Sequence, residues 1–199
     1  MNLLTVLKNI FKNSEFELLN QNELYGFDIY LCKPKHKRCQ IVFTIGLSNQ
    51  PQQTPDKFTD FKFVELYFCL PEYWKIDKTH WSVTYINKVA QIPKKNSTWF
   101  GPGDTIPTAN PPVNISDKFP FSYFMLVEPV LLDKEIKEII IEDKKIKFFG
   151  ILPLYKIEFN YKMRNSAKVL TAKFQYLKIN EMVDEYRKSV VRKRILGLF

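Results

Sequence analysis

Histidine is scarce in this sequence: only His36 and His80 occur among 199 residues. His36 falls in the lysine-rich stretch KPKHKR and His80 at a helix start, so neither has an acid–base partner in view. No serine sits in a G-x-S-x-G turn, and there is no phosphate loop and no dinucleotide fingerprint. Carboxylate-only catalysis needs paired acids in a cleft. Here the acids are scattered, and the pair in EDKK sits on a turn, where solvated surface charge is the ordinary reading. These absences argue against an enzyme, and no cofactor is expected.

Cysteine is equally sparse. Three cysteines cannot all pair within one chain, which fits a reducing compartment where a free thiol acts as a small buried hydrophobe. No apolar run reaches the roughly 18–20 residues that span a bilayer. The opening MNLLTVLKNIFK carries Lys8 and Lys12 inside its apolar stretch and lacks a small-residue cleavage site, unlike a secretory signal. The expectation is a soluble cytoplasmic protein.

What the chain has in quantity is aromatic bulk and lysine. Seventeen phenylalanines and ten tyrosines promise an aromatic core. The net charge is +9, but unevenly spread: residues 161–199 hold ten Lys/Arg against three acids, while residues 1–160 carry only +2. A basic balance suits nucleic acid. Lysine far outnumbers arginine, however, and bidentate base readout favours arginine. A lysine-, isoleucine- and asparagine-rich composition also arises from genome bias alone.

Periodicity outlines the elements. Leu3, Leu4, Leu7, Ile10 and Phe11 recur at helical spacing over 2–12. EFELLN, GFDIYLC and RCQIVFTIGLS read as strands, the last two joined by a KPKHKR hairpin tip. SNQPQQTPD reads as a polar loop, and FKFVELYFCLP as a central strand ended by Pro71. Trp81, Tyr85, Val89 and Ile92 predict a helix over 79–92 with Thr79 as its N-cap. SYFMLVEPV, KEIIIED and KKIKFFGILPLY predict three more strands, EDKK turning between the last two. From Pro153 the pattern turns helical: Ser166 caps a helix carrying Leu170, Phe174 and Leu177, and a last helix runs from Ile179 to Leu196. Helix, strands, helix, strands, helices is the order of an α+β fold.

One segment breaks all periodicity. From Asn96 the chain reads NSTWFGPGDTIPTANPP, with two of its six glycines and four of its twelve prolines. Gly101 and Gly103 permit positive φ, and Pro102, Pro107, Pro111 and Pro112 stiffen the remainder. Asp104 and Thr105 are suited to hydrogen-bond local amides. A stiff segment bearing Trp99 and Phe100 loses little entropy on docking, so it reads either as a rigid binding surface or as a self-packed loop over a sheet edge. The candidate contact residues are Trp99, Phe100, Gly101, Gly103, Asp104, Thr105 and Pro107, with Ser48 and Asn49 of SNQP beside them.

Two further features have ordinary alternatives. Cys32, His36 and Cys39 have zinc-ligand chemistry, but a closed site needs four donors, and the fourth would have to come from Cys69, His80 or a distant acid. The same spacing puts the two cysteines at matching ends of a hairpin, and no metal is expected. The basic stretch YRKSVVRKRILGLF suits nucleic acid or a membrane surface, or a helix docking on its own domain through Val183, Tyr186 and Val190.

The ordered blocks DIYLCKP, TIGLSNQP, ELYFCLPEYW, VAQIP, TWFGPGDTIP with its trailing PP, and GILPLY resemble the Suppressor of fused family over about residues 26–160. The resemblance implies an α+β domain, a mixed and mainly antiparallel sheet flanked by helices, with no known catalytic activity. The chain is expected to form one such domain over 1–178, with a basic helix or tail over 179–199 that lies outside the resemblance. Animal members of the family hold an extended peptide between two domains, partly by strand addition. This chain is too short for both. Stand-alone bacterial relatives are placed as immunity proteins that silence a cognate toxin, so the resemblance implies a protein partner of that kind. A nucleic-acid or membrane-surface adaptor acting through the tail is the alternative. Asp104 departs from the pattern, standing where many bacterial relatives carry histidine.

Overall fold

The computed structural model describes residues 2–192. Helix α1 (Leu3–Ile10) is capped by Asn2, whose side chain accepts the Thr5 N–H at 2.9 Å. Strands β1 (Glu15–Asn22), β2 (Phe27–Lys33), β3 (Cys39–Ile45) and β4 (Phe63–Pro71) follow, then helices α2 (Trp81–Ala90) and α3 (Ile92–Asn96). The rest comprises β5 (Thr105–Pro107), β6 (Tyr123–Val127), α4 (Asp133–Ile136), β7 (Glu138–Ile141), β8 (Lys144–Leu154), α5 (Lys156–Arg164) and α6 (Ala167–Tyr176). The strands form one sheet in the order β1-β2-β3-β4-β8-β6-β5, with β7 pairing on the first half of β8. Every pairing is antiparallel except β4 with β8. The fold is therefore α+β with a mixed, mainly antiparallel sheet.

Strand alternation divides the core. Phe149 and Ile151 of β8, Phe124 and Leu126 of β6, and Leu66, Phe68 and Leu70 of β4 share one face with Val83, Ile86 and Val89 of α2. On the opposite face Ile146 and Phe148 pack with α1 and α4. Further along β8, Leu152 and Leu154 pack with Leu170 and Phe174 of α6. Gly150 separates these two half-cores. A Cβ there would stand 2.9 Å from the Glu181 Cβ and 3.1 Å from the Tyr67 ring, so only glycine leaves room for them to meet.

The segment after α6 lies in that gap. No helix starts at Ile179: the described residues through Arg192 form a strap, because its polar groups are claimed from across the fold. Met182 bridges to Cys69, and the Val183 N–H donates to the Cys69 carbonyl at 2.8 Å. The buried Glu181 carboxylate accepts from the N–H groups of Val130, Leu131 and Leu132 and from the Tyr67 hydroxyl. That capture ends β6 at Val127, short of the strand predicted through Val130. Residues 193–199, the rest of the predicted last helix, lie outside the described residues.

Other differences have local causes. Thr79 does not cap α2, because its hydroxyl and N–H both donate to Asp77. His80 is the cap instead, its Nδ1 accepting the Ser82 N–H at 3.3 Å. Cys32 pairs in register with Ile41, so Cys32 and Cys39 are not directly opposite. Both are buried, whereas His36 is exposed on the hairpin tip. Ser166 caps α6 as its sequence position predicts, accepting from the Val169 N–H.

Candidate protein-binding surface

Residues 101–104 close a type II turn. The Asp104 N–H donates to the Gly101 carbonyl, Pro102 holds the second position, and Gly103 the third with φ +88°. The Asp104 carboxylate accepts the Gly101 N–H at 2.8 Å, locking the turn from inside. An aspartate thus serves as a local acceptor in place of the histidine that the resemblance leads one to expect. The turn is sewn to β6 by Gly103 N–H to the Leu126 carbonyl at 2.7 Å and by Leu126 N–H to the Asp104 carbonyl at 2.9 Å. The three residues of β5 then run along the sheet edge, where Pro107 costs no ladder bond.

Trp99 folds back over Gly101, where a Cβ would lie 2.7 Å from the indole. Its ring stacks on Phe58 with centroids 4.8 Å apart and planes at 30°, and on Phe61 at 6.5 Å and 17°. All three rings are half-buried, and the Lys57 ammonium lies 5.0 Å from the Phe58 centroid. Phe58 and Phe61 come from a short 3₁₀ stretch, Asp56–Phe61, so the platform joins two distant segments.

Gln52 makes that junction rigid. Its side chain accepts the Phe100 N–H at 2.8 Å and donates to the carbonyls of Phe61 at 2.8 Å and Phe100 at 3.2 Å. The SNQPQ segment and the glycine–proline loop are therefore brought together, with a cleft of about 180 Å³ between them.

The candidate residues divide by exposure. Asn49, Asp104 and Pro107 are exposed, while Trp99, Gly103 and Thr105 are half-buried. Phe100, Gly101 and Ser48 face inward. Ser48 is structural: its N–H and hydroxyl both donate to Glu65 Oε1, at 2.9 and 2.7 Å. Gly46 N–H and the Thr44 hydroxyl complete that cage, and burial nevertheless pushes the Glu65 carboxyl up to about 7. Thr105 accepts from Lys162 at 3.2 Å, and burial holds that ammonium below the ordinary lysine range, opposed by Asp104.

Sequence reasoning missed Phe58, Phe61, Gln52 and Lys162. D-K-F-T-D-F does carry two aromatics three residues apart, the spacing of a single helical turn, but no periodicity ties them to Trp99. In the basic tail, Arg187 is only 7% exposed and pairs with Glu158. One of the tail's cations is thus internal. Among the described residues, no group of three or more His, Cys, Asp or Glu side chains is arranged to hold a metal, and no helix is long and apolar enough to cross a membrane.

Fold and surface together define a single mixed sheet with a half-buried aromatic stack packed over β8. The sequence profile of the Suppressor of fused protein (SUFU) family matches residues 24–188, and the chain belongs to that family. The fold is similar to a crystal structure of a SUFU homologue from Neisseria gonorrhoeae, with TM-score 0.67 and 14% identity, covering 96% of this chain and 95% of that one. It is similar as well to a chain of the Sufu–Fu complex, with TM-score 0.65 and 13% identity over 94% and 90% of the two chains. Drosophila Suppressor of Fused matches with TM-score 0.63 and 11% identity, covering 95% of this chain but 50% of that one. Comparison with the sequences of curated proteins gives no match.

Proposed function

We propose that the chain is a non-enzymatic protein-binding domain that neutralises a cognate toxin by covering its working face. The observation that carries this reading is the Phe58–Trp99 stack, held half-exposed at 4.8 Å beside a turn fixed by four internal hydrogen bonds to or from residues 101–104. Tryptophan in a preorganised setting is the residue type that dominates binding energy at protein interfaces. Asp104, exposed and hydrogen-bonded to the Gly101 N–H beneath the Trp99 ring, adds a polar group next to the stack. A Suppressor of fused relative of similar fold has been crystallised as a Sufu–Fu complex, which supports a protein as partner. The net charge of +9 suits a neutral or acidic toxin rather than a basic nuclease.

The test is co-expression. The C-terminal domain of the product of the adjacent reading frame is expressed in a host with and without this chain, and growth is followed. Growth restored by wild type and not by a folded Trp99→Ala variant supports the reading. Growth arrest unrelieved by wild type contradicts it.

A further inference from the structure

The cleft between the SNQPQ segment and the loop after α3 has a cation of its own, separate from Lys57 on the aromatic platform. Lys94 stands on its wall, together with Tyr25, Gln50, Gln53, Ser97 and Thr98. The Lys94 ammonium is held in place from two sides: it donates to the Leu24 carbonyl at 3.2 Å and lies 5.7 Å from the Tyr25 ring centroid. Neither contact neutralises it, and among the described residues no carboxylate pairs with it. Among the described residues it is the one formally charged side chain lining the cleft. The remaining polar lining is of neutral amides and hydroxyls. Gln52 is committed inward to Phe61 and Phe100, whereas the side chains of Gln50, Gln53, Ser97 and Thr98 have no internal hydrogen-bond partner among the described residues.

A fixed, unneutralised cation facing uncommitted amide and hydroxyl donors is the chemistry that receives a carboxylate. The size points the same way. A volume of about 180 Å³ takes one side chain, whereas small-molecule and cofactor sites run to roughly 300–1,000 Å³. Position adds a third argument. Ser97 and Thr98 immediately precede Trp99, and Gln52 connects the two walls to the Phe61–Phe100 backbone. A residue seated in the cleft therefore lies next to whatever covers the aromatic stack.

We infer that this cleft is a socket for a single aspartate or glutamate side chain of the protein partner, with Lys94 as the cation that receives it. The inference rests on the protein-binding reading and adds the partner's chemistry: an acidic residue adjacent to an apolar or aromatic one that covers Trp99. Lys94 is exposed and makes no buried contact, so its replacement leaves the fold standing.

The experiment selects a displayed library of random dodecapeptides on the folded wild-type chain, then measures recovered peptides against Lys94→Gln, Lys94→Arg and Trp99→Ala. Circular dichroism and thermal midpoints check each variant. The expected peptides carry an Asp or Glu beside an apolar residue. Their affinity falls about tenfold or more on Lys94→Gln, falls equally when the peptide acid is replaced by its amide, and is restored by Lys94→Arg. The two losses do not add in the double change, as for directly contacting groups. A consensus without an acid, or acid-to-amide changes that leave affinity unaltered, overturns the socket. So does unchanged binding to Lys94→Gln. Peptides that depend on Lys94 but not on Trp99 keep the socket and remove the platform. Peptides that depend on Trp99 alone do the reverse. A library that yields no binder to wild type counts against both.

Discussion

Arg187 and Glu158 form a forked ion pair inside the fold, Nη1 to Oε1 at 2.6 Å and Nη2 to Oε2 at 2.9 Å. The guanidinium also donates to the Pro153 carbonyl and is ringed by Phe121, Tyr155 and Phe174 at 5.1 to 5.5 Å. The carboxylate in turn accepts the N–H groups of Tyr155 and Val190. A cation that looks like part of a solvated tail is thus the pin that holds the strap to α5.

Removing that pin leaves the Glu158 carboxylate buried without its cation. Arg187→Ala is expected to cost about 3–5 kcal/mol, the range for breaking one side of a buried pair. Urea unfolding monitored by tryptophan fluorescence measures it. Truncation after residue 178 removes Arg187 and Glu181 together, and is expected to leave a chain that does not fold. A cooperative, wild-type-like transition from the 1–178 fragment would show that the strap is a separate appendage.

Gly150 gives a sharper test of how the strap is seated. Alanine there would press on the Glu181 Cβ and the Tyr67 ring at 2.9 and 3.1 Å. Overpacking of this kind costs roughly 1–3 kcal/mol. The expected signature is a loss of stability together with faster amide exchange at Val130, Leu131 and Leu132, whose N–H groups Glu181 receives. Loss of stability with their protection unchanged would mean that Glu181 does not move.

The turn makes a prediction about binding as much as stability. Gly103 has φ +88°, and a Cβ there would fall 2.6 Å from the Ala167 Cβ. Gly103→Ala therefore combines backbone strain of about 1–2 kcal/mol with a clash. It is expected to lower stability and to weaken partner binding by displacing Trp99, while Pro102→Ala changes stability by less than about 1 kcal/mol. Titration of both variants with the partner, alongside thermal melts, compares them.

Buried Glu65 and half-buried His80 make stability depend on pH with opposite signs. Glu65 titrates near 7 in the fold against 4.5 unfolded, so the folded state holds its proton longer. Its contribution is full below the unfolded value and is lost as pH rises from about 4.5 to about 7. Burial against Trp74 and Trp81 holds His80 below 6.5, with Asp77 opposing, so below 6.5 the unfolded chain takes up the proton first. Stability is therefore lost as pH falls from 6.5 through the folded value. Glu65→Gln is expected to flatten the first trend and His80→Asn the second. Denaturation curves between pH 4.5 and 8 separate them.

Much of this fold is legible in the sequence because strand and helix periods are strong where one face is buried. Phe27, Ile29 and Leu31 announce β2, and Leu170 and Phe174 announce α6 behind its Ser166 cap. The misreadings are long-range. Nothing local says that Glu181 reaches Val130 or that Arg187 reaches Glu158, and the apolar spacing of Val183, Tyr186 and Val190 looks helical without those partners. The loop shows the same limit. Its glycines and prolines announce the turn, and Asp104 its inner hydrogen bond. The exposed face of Trp99 depends on Phe58 and Phe61, which reach it only through the folding of the intervening sheet.

The decisive quantity is the affinity of the folded chain for the toxin domain proposed as its partner, measured by calorimetry for wild type, Trp99→Ala and Phe58→Ala. The account predicts that each substitution weakens binding at least tenfold while circular dichroism and the melting temperature show a native fold. Equal affinity across the three folded proteins would contradict it.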